Sequence, residues 1–200
     1  MENFRTEVID EIETGSEEPG GLRNLGRILR DILETILLSL LLFMGINAVS
    51  ARIRIESISM QPTLYAGDFV IVNRVAYKLG EPTRGDVIIF RYPPDPEREP
   101  YIKRVIGLPG DTVHVADGKV YVNEIPMREP YISAPPMYQG TWTVPHDSLF
   151  VLGDNRNSSS DSHSWGMVPL ENVIGKALVV YWPPQEWKLL NQATAAAAEE

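Results

Sequence analysis

Two serines close a short stretch of alternating side chains, at a point where a nucleophile would be useful. The alternation predicts a strand over residues 52–59. One face of that strand would carry Ile53, Ile55, Ser57 and Ser59. Pro62 cannot extend a paired strand, so the chain must turn just after Ser59. Either Ser59 is a nucleophile beside an apolar floor, or its hydroxyl satisfies the backbone of the turn.

A lysine lies on an otherwise apolar row of a second predicted strand, between Tyr101 and Val105. Lys103 could reach water at a sheet edge, as lysines in such positions commonly do. The alternative is a desolvated, neutral amine that acts as a base. The ordinary pKa of lysine is about 10.4, so only about one side chain in a thousand is neutral near pH 7.5. Burial can lower that pKa enough, at a cost of about 3–4 kcal/mol.

A third stretch, residues 153–166, is dense in small polar side chains and contains Asp161 and His163. By itself it could be a surface loop with Asx turns. A Ser-His-Asp triad that uses Asp161 and His163 is conceivable, although the spacing does not require it. The sequence has no Gly-x-Ser-x-Gly elbow, Ser-x-x-Lys or His-Glu-x-x-His motif, and its three histidines are scattered. We therefore predict no metal and no cofactor.

The composition of the 200-residue chain fits one globular domain with modest extensions. The absence of cysteine excludes disulfides, thiol catalysis and thiolate metal sites. A net charge of −9 argues against a nucleic-acid partner. Much of that charge lies before residue 20, where the pattern predicts a mobile acidic tail.

An apolar run over residues 36–49 follows Asp31 and Glu34 and approaches the length of a membrane-spanning helix. A buried core helix and a cleaved signal peptide, with Ala48 and Ser50 near the processing site, are the alternatives. If the helix spans the membrane, Arg23, Arg27 and Arg30 place the N-terminus in the cytoplasm and the rest of the chain outside.

After residue 51 the pattern changes to short strands separated by turns. Asp117-Gly118 predicts a two-residue hairpin, and later strands are predicted over residues 148–152 and 173–182. Many short strands with regular turns predict a mainly β fold, a compact multi-strand β-sandwich or barrel that follows one N-terminal transmembrane helix.

Four ordered motifs resemble the bacterial type I signal peptidases, which are serine–lysine proteases. The motifs are Ser-x-Ser-Met-x-Pro-Thr-Leu from Ser57, Gly-Asp-Phe from Gly67, Tyr-Ile-Lys-Arg-Val-Ile-Gly-Leu-Pro-Gly-Asp from Tyr101 and Gly-Asp-Asn-Arg-x-x-Ser-x-Asp-Ser from Gly153. The resemblance covers residues 30–182. It implies an acidic cytoplasmic tail and basic flank over 1–30, an anchor helix over 31–50, a protease domain over 51–188 and a C-terminal tail over 189–200.

The resemblance also assigns site residues. It implies that Ser59 is the nucleophile, that Lys103 is the general base, and that Ser57 with the backbone N–H of Ser59 forms the oxyanion hole. Residues that match the family's lysine-orienting and supporting network are Ser159, Asp154, Arg104 and Asp161. Residues that match its shallow substrate pockets are Ile53, Ile55, Met60, Leu64, Val70 and Ile102.

The activity implied is cleavage of signal peptides from exported preproteins after an Ala-x-Ala-like site. The implied setting is a single-pass protein of the cell membrane, with the catalytic domain on the outer face, in contact with the lipid bilayer and potentially near the export translocon. Residues that depart from the family's pattern are Glu56, Asn157, Ser158 and His163. His163 stands where many members have arginine, so it cannot form a permanent ion pair with Asp161.

Two other functions are compatible with these motifs. The self-cleaving repressor proteases resemble the same Ser–Lys core, although a hydrophobic N-terminal helix and an acidic charge fit poorly with DNA binding. A membrane-anchored β-domain for envelope assembly could also retain the scaffold without activity.

Residues 123–147 form only a short insertion compared with the larger members of the family. We therefore predict a compact version of the fold without a large accessory domain.

Overall fold

The computed structural model describes residues 20–190, with side chains described from residue 24. Most of the predicted acidic tail and residues 191–200 of the predicted C-terminal tail lie outside this range. The chain divides into two compact units, Met1–Gly45 and Ile46–Glu200.

Helix α1 runs from Gly20 to Val49, and its residues up to Gly45 are the described part of the first unit. Its apolar run contains no proline and no charged residue, so apolar side chains lie on all sides of the helix over several turns. Residues Asn24–Val49 are long and apolar enough to cross a membrane, and none of the most apolar stretch is buried within the protein. This exposure contradicts the alternative of a buried core helix.

The second unit is mainly β, as predicted. Its strands are β1 Ser50–Arg54, β2 Phe69–Asn73, β3 Val87–Phe90, β4 Tyr101–Gly107, β5 Thr112–Ala116, β6 Lys119–Val122, β7 Ile125–Pro126, β8 Gly140–Thr143, β9 Ser148–Leu152, β10 Val168–Pro169, β11 Val173–Trp182 and β12 Lys188–Leu189. Two one-turn helices, α2 Ala76–Leu79 and α3 Ser162–Trp165, and two 3₁₀ turns, Leu170–Asn172 and Pro184–Glu186, join them.

The strands form two sheets. The larger has the order β1-β2-β11-β3-β4-β9-β10, with β12 paired to β11, and the smaller has the order β7-β6-β5-β8. Strand β4 lies between β3 and β9 in the larger sheet, and its residues 102–107 are all buried. A strand that is buried on both faces needs a nearly continuous apolar sequence. Lys103 and Arg104 interrupt that sequence, so each must find a partner in the interior.

Several local predictions are confirmed. Strands β9 and β11 begin and end at the predicted residues. Asp117 and Gly118 form the hairpin between β5 and β6, with φ angles of 50° and 73° that suit a two-residue turn.

Two boundaries differ from the sequence prediction. Strand β1 ends at Arg54 instead of Ser59, because Ile55 exchanges backbone hydrogen bonds with Asp68 and Gly67 of the loop before β2. At the other end, pairing continues past the predicted boundary at 188. The Leu190 N–H donates to the Leu178 carbonyl, and the Leu190 side chain is buried in the core.

Gly175 occupies a point of close approach between β11 and β2. A Cβ at this position would lie 2.4 Å from the Asn73 carbonyl oxygen and 2.9 Å from Val72 Cγ1. We therefore expect Gly175→Ala to destabilise the fold by about 1–3 kcal/mol through overpacking. Thermal unfolding of the full chain in detergent would measure this. Gly80→Ala is the control, because its Cβ would meet nothing closer than 3.7 Å; equal melting temperatures for the two variants would contradict the prediction.

Candidate active site

Ser59 lies in the loop between β1 and β2 and is buried, with 6% of its surface exposed. The loop is held against the segment that follows β9. Asn155 donates its backbone N–H to the Ser59 carbonyl at 3.0 Å and its side-chain amide to the Ile58 carbonyl at 3.2 Å. The next side chain, Met60, is fully buried and packs in the hydrophobic core, which holds the loop against the domain. These contacts fix the position of the Ser59 hydroxyl.

Lys103 extends from the central strand β4 to this hydroxyl. Its Nζ lies 2.7 Å from Ser59 Oγ and donates a 3.0 Å hydrogen bond to the Ile102 carbonyl. Only 3% of the lysine is exposed. Burial lowers the pKa of Lys103 from its ordinary 10.5 to about 8, while the negative charges of Asp161 and Asp154 act in the opposite direction. The pair therefore has the geometry and the basicity required for removing a proton from a serine hydroxyl.

Ser57 lies beside the same hydroxyl. Its Oγ is 3.2 Å from Ser59 Oγ, and the residue is otherwise exposed to the cleft. A hydroxyl here can donate to an oxygen atom that develops negative charge next to Ser59. The predicted role of Ser57 and the Ser59 backbone N–H in an oxyanion hole stays a prediction.

Arg104 and Asp154 form a fully buried ion pair behind the lysine. Arg104 Nε donates to Asp154 Oδ1 at 2.8 Å and its Nη2 donates to Oδ2 at 2.6 Å. Thr63 also donates its hydroxyl to Asp154, and the Arg104 guanidinium lies 4.0 Å from the centre of the Tyr131 ring. Because both charges are compensated, this pair can join the serine loop, β4 and the segment after β9 in the interior.

Asp161 connects the same segment to His163. Its side chain is fully buried, and its Oδ2 accepts the Gly153 backbone N–H at 2.9 Å. Its Oδ1 lies 2.6 Å from His163 Nδ1, so the departure from the family pattern still leaves Asp161 with a hydrogen-bonded partner. Gly153 itself is tightly enclosed, since a Cβ there would lie 2.4 Å from the Ser59 carbonyl oxygen.

Ser159 is close to the site but does not contact the lysine through a hydrogen bond. Within the described residues its Oγ is buried and has no hydrogen-bond partner. The lysine amine instead bonds to Ser59 and Ile102. The predicted orienting contact between Ser159 and Lys103 is therefore absent from this conformation.

A cleft of about 790 Å³ opens in front of the Ser59 hydroxyl. Ile53, Ile55 and Ile102, which the resemblance assigns to substrate binding, line this cleft, and that role stays a prediction. The other three predicted residues lie elsewhere: Met60, Leu64 and Val70 have no exposed surface and pack in the hydrophobic core. The resemblance assigned them to the substrate pockets, but their side chains face the core cluster that also contains Val72 and Ile89. Glu56 lies on the cleft wall.

Sequence reasoning missed a second buried ion pair in the site's support. Arg156 donates to both Glu129 oxygens at 2.7 and 2.6 Å, and its Nε donates to the Gly153 carbonyl at 3.1 Å. Tyr131 donates its hydroxyl to Glu129. Arg156 is part of a recognised motif, but nothing in the local sequence singles out Glu129, which lies 27 residues away. Within residues 24–190, no three His, Cys, Asp or Glu side chains are grouped to hold a metal ion.

Comparisons with known proteins identify relatives of this chain. The family model described as "Signal peptidase, peptidase S26" matches residues 28–182. Signal peptidase I of Leptolyngbya laminosa is 49% identical over 160 residues, which cover 76% of this chain and 78% of that protein. Probable signal peptidase I-2 of Synechocystis sp. is 44% identical over 174 residues, covering 83% of this chain and 79% of that protein.

A plant protein and a crystal structure are also similar. Thylakoidal processing peptidase 1 of Arabidopsis thaliana is 42% identical over 150 residues, which cover 70% of this chain and 44% of that protein. The crystal structure of a signal peptidase I from Enterococcus faecalis V583 aligns with 48% of this chain and 97% of its own, at a TM-score of 0.45 and 33% identity.

Burial of Lys103 should reduce the stability of the fold below about pH 10.5. The unfolded chain protonates this amine at its ordinary pKa of 10.5, whereas the folded chain does so at about 8. Stability is therefore lost as the pH falls from 10.5 to 8 and stays lower below that range. We expect Lys103→Met to be more stable than wild type at neutral pH, by up to about 3 kcal/mol.

Unfolding of the full chain in detergent, at about pH 7 and about pH 10.5, would measure this difference. The gain from Lys103→Met should shrink at the higher pH, where the wild-type amine is neutral in the folded chain and only half protonated in the unfolded chain. Lys119→Met, at an exposed position, is the matched control and should show no such dependence. An equal gain at both pH values would contradict a desolvated amine.

Proposed function

The chain belongs to the signal peptidase family, peptidase S26, and from this membership we propose that it cleaves peptide bonds by a serine–lysine mechanism. Ser59 is the nucleophile and Lys103 is the general base. The observation that carries the proposal is the 2.7 Å separation between a buried amine and a buried hydroxyl. Other roles for a buried lysine do not require a hydroxyl at this distance, whereas general-base catalysis does.

The reaction begins with the neutral amine of Lys103. It accepts the proton of the Ser59 hydroxyl while Ser59 Oγ attacks the carbonyl carbon of the scissile bond. The protonated lysine then gives that proton to the leaving amine, which completes acylation of the serine. Water attacks the resulting ester with the same lysine as base, and the serine is regenerated.

The tetrahedral intermediate carries a negative oxygen that needs donors. We assign these to the Ser57 hydroxyl and the backbone N–H of Ser59. The 3.2 Å separation of the two serine Oγ atoms supports this assignment, because the Ser57 hydroxyl is next to the point of attack. Loss of one such donor typically reduces the rate by about 10²–10³.

The substrates are preproteins, cleaved after an Ala-x-Ala-like site at the end of the signal peptide. Side chains of Ile53, Ile55 and Ile102 line the cleft that contains Ser59 and Lys103. This apolar lining supports binding of apolar substrate side chains beside the nucleophile. Asp154, Arg104 and Asp161 support this cleft from behind without contacting the substrate.

Helix α1 anchors the enzyme in a lipid bilayer. Its length and apolar surface support a single span, and three arginines at its N-terminal end favour a cytoplasmic N-terminus. The catalytic domain then acts on the outer face of the membrane, where exported preproteins emerge near the translocon.

The non-catalytic scaffold is the main competing function. A scaffold gains nothing from a desolvated lysine, which lowers the stability of the fold. The presence of a buried amine beside Ser59 therefore favours a catalytic function over a scaffold. The repressor-type proteases remain disfavoured by the hydrophobic N-terminal helix.

Removal of either reacting group should abolish cleavage. We expect Ser59→Ala and Lys103→Ala each to reduce kcat/KM for a preprotein with an Ala-x-Ala site by at least about 10³. The assay uses the full chain in detergent or liposomes, with separation of precursor and mature products. Ser133→Ala and Lys119→Ala, both at exposed positions, are matched controls that should retain activity. Substantial cleavage by folded Lys103→Ala would refute the mechanism.

Activity should increase as the pH rises through about 8, since Lys103 must lose its proton before it can act as a base. Below that pKa, the fall in kcat/KM should approach about tenfold for each unit of pH. The measurement is the pH profile of kcat/KM for the same preprotein. A constant rate from mildly acidic to alkaline pH would count against a titrating amine.

A further inference from the structure

His163 combines two contacts and a partly exposed ring, which together link its charge to the active site. Its Nδ1 lies 2.6 Å from Asp161 Oδ1, and its ring stacks on Tyr138 with centroids 3.9 Å apart and planes 9° from parallel. The side chain keeps 22% of its surface exposed. It therefore has a fixed orientation toward a buried carboxylate and direct access to protons from solvent.

Asp161 accepts backbone N–H groups on both oxygens, from Gly153 at 2.9 Å and from His163 at 3.3 Å. An ionised carboxylate is an acceptor on both oxygens, so the nearby imidazole Nδ1 must carry a hydrogen. Protonation of the ring then takes place at Nε2. The hydrogen bond to Asp161 stays the same in both states, and only the charge of the ring changes.

The charge on Asp161 is compensated differently from the other buried carboxylates near the lysine. Asp154 is paired in bidentate fashion with Arg104, and Glu129 is paired in the same way with Arg156. Both arginines are permanently charged. In the described structure, the side chain bonded to Asp161 is an imidazole, which is the one side chain whose ordinary pKa lies between pH 5 and 8.

Asp161 in turn acts on the lysine. Its negative charge is the largest electrostatic contribution that raises the pKa of Lys103, ahead of Asp154. The two carboxylates favour the protonated amine and so oppose the effect of burial. Compensation of Asp161 by a neighbouring cation would therefore favour the neutral amine.

We propose that His163 is a positioning residue that controls how much of the Asp161 charge reaches the catalytic lysine, so that protonation of its ring preserves activity as the pH falls. The proposal rests on the proposed role of Lys103 as the base. At alkaline pH the ring is neutral and the Asp161 charge is uncompensated. At acidic pH the charged ring compensates Asp161, and the lysine gives up its proton more readily.

Other ionisable groups also lie around this unit. Tyr138, on the face of the ring, has a pKa that burial and the Asp161 charge raise far above neutral. Arg156 and Glu129 form one ion pair, and Arg104 and Asp154 form another. Glu56 and Glu99 line the same cleft as Lys103. All of these groups are shared by wild type and His163 variants, so a difference between their pH profiles reports the ring.

Two substitutions separate the charge of the ring from its hydrogen bond. His163→Asn keeps an N–H donor at the position of Nδ1 but remains neutral at every pH. His163→Arg keeps a donor and remains positive at every pH, with a planar group that can stack on Tyr138. His146→Asn, at an exposed position, is the matched control. The assay is kcat/KM for an Ala-x-Ala preprotein from about pH 5 to pH 10, with full-length protein in detergent and each profile scaled to its own alkaline plateau.

The expected result is that the wild-type profile agrees with that of His163→Asn at alkaline pH and separates from it at acidic pH. The scaled wild-type profile should follow that of His163→Asn at alkaline pH and exceed it by about threefold or more near pH 5. The profile of His163→Arg should be displaced to lower pH along its whole length. If His163 contributed only to the folded structure, its substitution would change kcat/KM by the same factor at every pH and leave the shape of the profile unchanged. Circular dichroism and melting temperature, measured at each pH, verify that the variants are folded.

Parallel profiles for wild type and His163→Asn at acidic pH would overturn the proposal, as would a profile for His163→Arg that is not displaced. If a variant does not fold, NMR titration of the Lys103 Nζ and the His163 ring in the wild-type protein provides the test. Two coupled titrations are expected, and independent ones would overturn the inference. Full activity of Lys103→Ala would refute the proposed mechanism itself, whereas an inactive Lys103→Ala with identical His163 profiles would refute only this inference.

Discussion

The contact between a buried amine and a buried hydroxyl, Lys103 Nζ to Ser59 Oγ, is the interaction on which the structure of the site depends. Removal of the lysine from water lowers its pKa, so that more of the amine is neutral and able to accept a proton. This environment must be built from distant parts of the chain. Strand β4 supplies the lysine from the middle of the larger sheet, and the loop after β1 supplies the serine. Neither group is reactive unless the sheet and the loop are both in place.

The buried charges around this contact join segments of the chain more than they stabilise the fold. Burial of two ion pairs, Arg104–Asp154 and Arg156–Glu129, adds little to stability when desolvation is counted. Each pair, however, joins segments that are far apart in sequence, and it does so with bidentate geometry that allows few alternatives. Tyr131 lies against both guanidinium groups and completes the arrangement. The result is a rigid support for the segment that holds the Ser59 carbonyl.

Much of the site could be predicted because its residues occur in short, ordered motifs. Ser59, Lys103, Asp154 and Asp161 are separated along the chain but are brought together in the structure. The prediction failed where residues were assigned to the substrate pockets by resemblance to the family. Met60, Leu64 and Val70 match the family's pocket positions, but they have no exposed surface and pack in the hydrophobic core. Which apolar side chains face the cleft depends on how distant segments pack against one another, and a linear motif does not contain that information.

The sequence by itself determined the mainly β architecture, the apolar N-terminal helix, the Asp117-Gly118 hairpin and the choice of Ser59 and Lys103 as the proposed reactive pair. These features depend on local pattern and on residue chemistry, which are present in the linear chain. Only the tertiary structure decided the pKa of Lys103, the pairing of Arg156 with Glu129, the missing contact of Ser159 and the imidazole partner of Asp161. Those properties depend on desolvation and on distances between segments, and neither quantity exists until the chain has folded.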